Sequence, residues 1–264
     1  MAEDAEEQPV FETSTGPVRV ITAASLFDGH DAAINVMRRL VQSSGAEVIH
    51  LGHDRSAKDV VDCAIQEDAH AVALTSYQGG HVEYFTYIRQ LLDEAGCEHV
   101  RIFGGGGGTI TPPEIRELHQ AGISKIYSPD DGRTMGLFGM IHHLMGIAQE
   151  VDLTSDARMK SLDGPVTPED MAKVGLLLTL SESADEATFK QTIEACRSSS
   201  SDVPVIGYTG TGGAGKSSLL DELKGCIRWV EGKQQGKTGN ALHRQNHNRA
   251  NPNPFAALGR WPKQ

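Results

Sequence analysis

The segment Asp28-Gly29-His30-Asp31 places a carboxylate two residues before an imidazole. An aspartate in that position can accept the proton of one ring nitrogen, which fixes the tautomer and leaves the other nitrogen to bind a metal ion. The same pairing also occurs where a loop histidine is only a solvated surface group beside an acid, so the triplet alone does not identify a site. Asp28 and His30 are therefore candidate metal-site residues whose meaning depends on the residues around them.

Two further segments combine glycines with groups that could contact a ligand. Ser76 supplies a hydroxyl, and Gly79 and Gly80 soon after it permit close approach to the backbone. His81 follows them and is interpreted as a residue that caps or solvates the next helix. The run Gly104–Gly108 has no Cβ atoms, so a flat or bulky ligand could approach its amides, although a flexible loop without a ligand is the alternative. This run does not open a helix, so it fits a dinucleotide fingerprint badly.

A fourth segment, at residues 210–217, has the composition of a phosphate-binding loop. Its glycines would let consecutive amides turn toward a phosphate, its lysine would reach the β- and γ-phosphates, and its serine hydroxyl would bind magnesium. A predicted strand at Val203–Tyr208 and a predicted helix at Ser218–Leu223 flank it, as this motif requires. The predicted nucleotide-binding residues are Gly210, Gly212, Gly213, Ala214, Gly215, Lys216 and Ser217, with Ser217 as the magnesium ligand.

The pattern of apolar residues predicts the elements that position these segments. Strand-length apolar runs alternate with stretches whose apolar residues are three or four apart, which indicates repeated strand–helix units. The predicted strands are Val18–Ala24, Glu47–Leu51, Ala71–Thr75, His99–Phe103 and Lys125–Tyr127. Such units give a five-stranded parallel sheet with helices on both faces, a doubly wound α/β fold of the flavodoxin or Rossmann type. The first two candidate segments and the glycine run then follow the first, third and fourth strands, and Ser128 follows the fifth. All of them meet at the edge where such sheets bind ligands.

The composition changes along the chain and divides it into five parts. A disordered leader of residues 1–16 precedes a ligand-binding domain of residues 17–148, and residues 149–202 form a helical linker. Residues 203–223 begin the incomplete P-loop α/β fragment. Residues 224–264 carry eight Lys and Arg residues against one glutamate and show no periodicity, so they are predicted to be a disordered or aberrant basic tail in preference to a nucleic-acid-binding arm.

The overall composition argues against several classes of protein and partner. A formal net charge of −11 over 264 residues disfavours nucleic acid as a partner. The four cysteines lie far apart and form no Cys-x-x-Cys pair, which argues against a structural zinc site or a disulfide framework and favours a reducing compartment. No apolar stretch approaches the ~18 residues that a membrane-spanning helix needs. The acidic N-terminus lacks the pattern of a signal peptide, so we predict a cytoplasmic protein without membrane contact.

Taken together, residues 17–148 resemble the cobalamin (B12)-binding domain shared by the B12-dependent acyl-CoA mutases and methionine synthase. In that family an Asp-x-His-x-x-Gly motif supplies the lower axial histidine to cobalt, and a serine and glycines line a slot between the first and third strands for the nucleotide tail. The resemblance implies that His30 ligates cobalt and that Asp28 orients it. The chain departs from the pattern at Ala33, where the family has glycine, and after Ser76, where Tyr-Gln replaces x-Leu. The implied cofactor-binding residues are Asp28, Gly29, His30, Asp31, Ser76, Gly79, Gly80, Gly104, Gly105, Gly106, Gly107 and Ser128.

The motifs are most similar to those of the fused isobutyryl-CoA mutase subgroup, in which a GTPase chaperone domain follows the cobalamin domain. This resemblance implies adenosylcobalamin as cofactor, a radical rearrangement of an acyl-CoA of the isobutyryl- or methylmalonyl-CoA type, and GTP with magnesium at the phosphate loop. After Leu223 there is neither an apolar strand that ends in aspartate nor an Asn-Lys-x-Asp motif, so GTP hydrolysis is not expected. The remaining residues cannot form the substrate barrel of these enzymes. The resemblance therefore implies a barrel subunit or domain as partner and leaves a homo-oligomer open.

Three other functions use the same fold. A stand-alone cobalamin carrier or sensor would use the same site without catalysis. A methyl-transfer corrinoid module is disfavoured because that class has no reason to carry a phosphate loop. A response-regulator-like domain would need a phosphorylatable aspartate after the third strand, where this chain has Thr75-Ser76.

Overall fold

The structure of the chain is a computed structural model that describes residues 11–167, 169–196 and 207–223. It divides into two compact units, and the boundary between them falls between Ser200 and Ser201. Within the described residues, no helix combines the length and the apolar character that crossing a membrane would require.

Within the described residues, the first unit contains seven strands and eight α-helices. The strands are β1 (Glu12–Thr13), β2 (Gly16–Pro17), β3 (Arg19–Ser25), β4 (Glu47–Arg55), β5 (Ala71–Thr75), β6 (Arg101–Gly105) and β7 (Lys125–Tyr127). The helices are α1 (Ala32–Ser43), α2 (Ala57–Gln66), α3 (His81–Glu94), α4 (Pro112–Gln120), α5 (Pro129–Ala148), α6 (Asp156–Ser161), α7 (Met171–Ser183) and α8 (Glu186–Cys196). Strands β3 to β7 form one parallel sheet in the order β4-β3-β5-β6-β7. The predicted five-stranded parallel sheet is confirmed.

Helices cover both faces of this sheet because its strands carry apolar residues on both sides. On one face, α1 and α5 bury Val41 and Leu144 against the sheet. On the other face, α2, α3 and α4 bury Val60, Phe85 and Leu118. Full burial of each such side chain contributes roughly 1.5–3 kcal/mol to stability. The unit is therefore doubly wound, and its two cores hold the carboxyl ends of the strands in fixed positions.

The strand boundaries differ from prediction mainly at β4 and β6. Strands β5 and β7 have the predicted bounds, β3 begins and ends one residue later than predicted, and β4 continues to Arg55. The fourth predicted strand, His99–Phe103, is wrong by two residues at each end, because the parallel ladder begins only where the Arg101 amide bonds to the His70 carbonyl. The ladder then takes in Gly104 and Gly105, whose backbones pair with β5 and β7. Two of the glycines predicted as loop are thus part of the sheet.

The end of the predicted disordered leader is ordered. Strands β1 and β2 form a small antiparallel hairpin in which the Thr13 hydroxyl donates to the Gly16 carbonyl at 2.9 Å. Gly16 has a φ of +107°, a conformation that glycine adopts without strain. Phe11 packs against the core on the α1 and α5 face. A turn that only glycine suits and an apolar anchor therefore order residues 11–16; residues 1–10 lie outside the described part of the chain.

The segment after α5 contains three helices, although the sequence predicts two that begin near Thr167 and Ser183. Helices α7 and α8 begin at Met171 and Glu186, close to those positions. The additional helix, α6, has six residues of which only Ala157 and Met159 are apolar, too few to show a helical period. The prediction of a helical segment is therefore correct in kind but incomplete.

These helices pack on the sheet domain through a buried polar contact. Asp68 has only 3% of its surface exposed, and its carboxylate accepts hydrogen bonds from the Arg158 guanidinium and from the Thr179 hydroxyl. Helix α7 lies so close to α2 that a Cβ atom on Gly175 would be 2.7 Å from the Ile65 carbonyl oxygen. Within the first unit, one carboxylate and a close backbone approach thus fix the segment predicted as a linker to the part that contains the sheet.

Two histidines near the amino ends of β5 and β6, the buried His70 and the half-buried His99, predict a pH dependence of stability. Burial is the main cause that lowers the pKa of each ring to about 4, and the positive charge of Arg19 near His70 and of Arg158 near His99 contributes to the same shift. Both rings are therefore neutral in the folded chain, whereas they take up a proton near pH 6.5 when unfolded. We expect the free energy of unfolding to fall as the pH is lowered from about 6.5 to about 4, by up to about 3 kcal/mol for each histidine.

Denaturant unfolding measured at several pH values checks this expectation. The variant His70→Asn, which has no titrating ring, should show a weaker pH dependence than the native chain. The matched variant His53→Asn, which changes an exposed residue of β4, should leave the pH dependence as it is. A free energy of unfolding that stays constant between pH 7 and pH 4.5 would contradict the conclusion that the rings of His70 and His99 are neutral in the folded chain.

Candidate cofactor site

The predicted pair Asp28 and His30 is in contact in the loop between β3 and α1. The ring Nδ1 of His30 lies 2.8 Å from Asp28 Oδ1, and the His30 backbone amide donates to the same oxygen at 2.9 Å. The second carboxylate oxygen, Oδ2, accepts from the Tyr77 amide at 2.6 Å. Because an ionised carboxylate can only accept, Nδ1 carries the proton and Nε2 has the free lone pair. The Asp28 carboxylate thus fixes the orientation of the imidazole and leaves Nε2 able to bind a metal ion.

Burial and exposure differ sharply within this pair. The Asp28 carboxylate is buried and the His30 ring is 74% exposed. Burial raises the pKa of Asp28, but the hydrogen bonds from the Tyr77 amide and from His30 outweigh it and hold the pKa below its usual value. The carboxylate is therefore ionised at neutral pH and fixes a ring whose other edge is open to a ligand.

Backbone strain in the preceding residue helps to set this geometry. Phe27 has a φ of +63°, which is rare for a bulky residue, and its side chain is 83% exposed. Its amide donates to Asp54 Oδ1 at 2.8 Å, so a β4 side chain holds the strained turn in place. Strain of this kind is stored most often at functional sites. Sequence reasoning missed Phe27, since nothing in its type or spacing signals a positive φ.

A cavity of about 290 Å³ lies at the carboxyl ends of β5, β6 and β7, between α1 and α5. Its walls are mainly apolar and include Met37, Phe103, Tyr127, Met140 and Leu144. We call this cavity the slot. It occupies the same edge of the sheet as the Asp28–His30 pair, and its mainly apolar walls suit an apolar group that enters from that edge.

Glycines 104, 105 and 106 shape the slot for three different reasons. A Cβ atom on Gly104 would lie 2.4 Å from Phe85 Cζ, so this glycine serves core packing on the opposite face of the sheet. A Cβ atom on Gly106 would lie 1.9 Å from the Ser76 carbonyl oxygen, so here two backbone segments approach closely. Gly105 lies between them, faces the slot and has no side-chain neighbour within 4 Å, which leaves the volume beside it open. Gly104, Gly105 and Gly106 all line the slot, and the volume left open to a ligand lies beside Gly105.

The hydroxyl that reaches the slot belongs to Thr75, while Ser76 points elsewhere. Ser76 is fully buried and its Oγ accepts from Ser25 Oγ at 2.9 Å, and it does not line the slot. Thr75 does line the slot, and its buried Oγ1 has no hydrogen-bond partner among the described residues. Successive residues of a strand face opposite sides, so the two neighbours separate. The sequence assignment of Ser76 as a slot residue is wrong by one position.

The other predicted residues are divided between the slot and its surroundings. Ser128 lines the slot and caps α5, where its Oγ accepts from the Asp131 amide. Gly107 also lines the slot, next to the Tyr77 ring, with a φ of +56°. Four residues do not line it: Gly29, Asp31, Gly79 and Gly80. His81, predicted to cap or solvate α3, is instead 3% exposed, with Nδ1 3.0 Å from the Gln78 carbonyl oxygen and Nε2 3.3 Å from Glu114.

The phosphate-loop segment belongs to the second unit, of which residues 207–223 are described. The Lys216 ammonium donates to the carbonyls of Gly210 and Thr211 at 2.9 and 2.8 Å, and residues 216–223 are helical. Gly213 and Gly215 have φ values of +76°, which glycine adopts easily. Most of the predicted strand Val203–Tyr208 and the whole of the predicted tail 224–264 lie outside the described residues.

Comparison with known proteins identifies the family to which this domain is similar. Residues 18–130, which run from β3 through β7, match the family model described as the B12 binding domain. A fused isobutyryl-CoA mutase from Cupriavidus metallidurans is 51% identical over 222 residues, which are 83% of this chain and 20% of that protein. A protein of the same name from Geobacillus kaustophilus is 50% identical over 213 residues, which are 78% of this chain and 19% of that protein. The chain thus spans about a fifth of the length of these relatives.

A shorter relative is matched over most of its length. The 2-hydroxyisobutanoyl-CoA mutase small subunit of Aquincola tertiaricarbonis is 36% identical over 115 residues, which are 43% of this chain and 82% of that protein. The match extends over most of a small protein, and the family model covers the sheet whose carboxyl edge holds His30 and the slot. The chain therefore belongs to the B12-binding domain family, whose cofactor is cobalamin.

Proposed function

We propose that this chain is the cofactor-binding part of a radical acyl-CoA mutase and that it holds adenosylcobalamin with His30 as the lower axial ligand of cobalt. The observation that carries the proposal is the 2.8 Å contact between His30 Nδ1 and the buried Asp28 carboxylate. A corrin ring supplies the equatorial nitrogen ligands of its cobalt, so one protein imidazole is enough.

In this proposal Asp28 acts on the metal through the histidine. By accepting the Nδ1 proton it makes Nε2 the ligating atom, keeps the ring in one orientation and raises its basicity. The amides of His30 and Tyr77 hold the carboxylate itself in place. Asp28 is therefore a positioning residue, and His30 is the only side chain of the pair that would touch the metal.

The slot would receive the nucleotide tail of the cofactor. Its apolar walls suit a benzimidazole ring, and Gly105 leaves room for a flat group beside the backbone. The partnerless hydroxyl of Thr75 would hydrogen-bond a polar atom of the tail, since a buried hydroxyl without a partner is costly. Ala33, which stands where the family has glycine, lines the slot and adds only a methyl group to its wall.

The substrate and the partner follow from the names of the relatives. Bound adenosylcobalamin supplies the radical chemistry that rearranges a carbon skeleton, while the protein supplies orientation and the axial ligand. Matches to fused isobutyryl-CoA mutases and to a mutase small subunit favour a mutase component over a stand-alone cobalamin carrier or sensor. We infer an acyl-CoA substrate of the isobutyryl- or methylmalonyl-CoA type, held by a barrel domain or subunit, in the cytoplasm.

The phosphate loop adds a second ligand to the proposal. Lys216 bonds to the loop carbonyls of Gly210 and Thr211, contacts that a phosphate would replace. Ser217 would contribute its hydroxyl to a magnesium ion. We infer that this segment binds GTP with magnesium as the beginning of a GTPase chaperone domain.

Replacing His30 with alanine tests the proposal. Titration of the native chain with adenosylcobalamin should give the visible spectrum of a cofactor whose own base has been displaced by a histidine. The His30→Ala variant should lose that signature completely, because no other imidazole would take the position. The variant should keep its far-ultraviolet circular dichroism, since the His30 ring is largely exposed.

A matched control separates this effect from a general loss of histidine. His53→Ala changes another exposed histidine, in β4, and should leave the spectrum of the bound cofactor unchanged. The proposal fails if native chain and His30→Ala give the same spectrum, or if the native chain does not bind adenosylcobalamin at all.

A further inference from the structure

One positively charged side chain lines the otherwise apolar slot. Arg38 lies on α1 and is half-buried at the slot wall near Ile34 and Met37. Its Nε donates to Asn35 Oδ1 at 2.9 Å, and this is its only hydrogen bond within the described residues. Among the same residues, no carboxylate lies within 4.0 Å of its guanidinium. The rest of the guanidinium fork is therefore available to a ligand.

The charges around Arg38 do not neutralise it. His50, on β4, bonds through Nδ1 to the Thr22 hydroxyl at 2.9 Å, and Thr22 also lines the slot. Burial lowers the pKa of His50 and the positive charge of Arg38 lowers it further, so the histidine is neutral at pH 7. Asp31, the N-cap residue of α1, is exposed and forms no salt bridge with the described residues. This wall of the slot is thus positively charged without a partner.

We propose that Arg38 binds the phosphodiester of the cofactor's nucleotide tail when the tail enters the slot. A half-buried cation beside apolar walls is unfavourable unless an anion accompanies it. The planar guanidinium fork matches the oxygens of a phosphate in geometry and in charge. This inference rests on the proposed function, because it takes cobalamin as the occupant of the slot, and it adds a residue that selects for the tail of that occupant.

Affinity measurements on variants of Arg38 test the inference. Arg38→Met keeps the length of the side chain and removes its charge, and we expect it to weaken cobalamin binding about ten-fold, the equivalent of one charge-assisted hydrogen bond. Arg38→Lys should recover part of the affinity because it restores the charge without the fork. The control Arg39→Met removes the same charge from the next residue, which is exposed and does not line the slot, and should bind cobalamin like the native chain.

Two further measurements identify the phosphodiester as the group recognised. The affinity of the native chain for cobalamin should fall as sodium chloride is raised, and this salt dependence should be weaker in Arg38→Met. Cobinamide, which has the corrin ring but no nucleotide tail, should bind native chain and Arg38→Met equally. An equal loss of affinity for cobalamin and cobinamide, or an effect of the same size in Arg39→Met, overturns the inference.

The outcome for Arg38 can be told apart from the outcome for the proposed function. If the native chain binds cobalamin with the histidine-coordinated spectrum and Arg38→Met binds it equally well, the inference fails while the proposed function stands. If the native chain does not bind cobalamin, both fail.

Discussion

The variant Gly106→Ala is expected to lose about 3 kcal/mol or more of its free energy of unfolding, because the new methyl group has no space. Its Cβ atom would lie 1.9 Å from the Ser76 carbonyl oxygen, and backbone atoms cannot turn aside as the end of a flexible side chain can. Relief of the clash would require separation of the segments after β5 and β6. That separation would break the hydrogen bond from the Ser76 amide to the Gly105 carbonyl.

Chemical denaturation of Gly106→Ala beside Gly108→Ala gives the measurement. Gly108 belongs to the same glycine run but is exposed, and a Cβ atom there would have no neighbour within 4 Å. Gly108→Ala should therefore stay within about 0.5 kcal/mol of the native chain. Equal stability of the two variants would show that the run is loose and that the segments after β5 and β6 are not held together as described.

The second large effect is expected at Asp68, whose replacement by asparagine should lower the free energy of unfolding by about 3–5 kcal/mol. Asparagine keeps the shape of the side chain and tolerates the positive φ of +49° at this position. It removes the charge that faces Arg158, whose side chain is only 12% exposed. Breaking a buried ion pair on one side leaves the remaining charge buried without compensation.

An exposed ion pair in the same domain provides the comparison. Asp62→Asn breaks the contact between Asp62 and Lys58 on the surface of α2 and should cost less than about 1 kcal/mol. Limited proteolysis should also cut the α6–α8 segment of Asp68→Asn sooner, because the contact that holds α6 and α7 to the sheet domain is lost. Similar stability losses in the two variants would contradict the idea that one buried carboxylate fixes these helices.

The fold could be predicted because its determinants are local. Apolar runs of strand length and helix-spaced apolar residues recur through residues 17–148, and their alternation leaves few topologies to choose from. The pattern failed at β6, where Gly104 and Gly105 look like loop residues although their backbones complete the ladder. It failed again at α6, whose short sequence is ordered by the partners of Arg158. In both places the deciding contacts are tertiary and leave no periodic signal.

The site was predictable where its partners are neighbours in the sequence. Asp28 and His30 are two residues apart, so their spacing alone predicts the contact that the structure contains. The choice between Thr75 and Ser76 depends on which face each presents at the end of β5, and a shift of one residue reverses it. From the sequence alone, Arg38 is predicted to be an ordinary charged residue on a helix surface, because nothing in the sequence shows that it lines the slot.

The Asp28 carboxylate joins two loops, so ligand binding at His30 and ligand binding in the slot are coupled. One oxygen holds the loop of His30, and the other holds the amide of Tyr77, whose ring lines the slot and lies 5.3 Å from the His30 ring. A molecule that occupies both places would bind with a more favourable free energy than the sum for its two fragments, as a chelating ligand does, because binding at one place preorganises the other. Separate fragments, such as free benzimidazole and cobinamide, should therefore bind with positive cooperativity that disappears when the carboxylate is replaced.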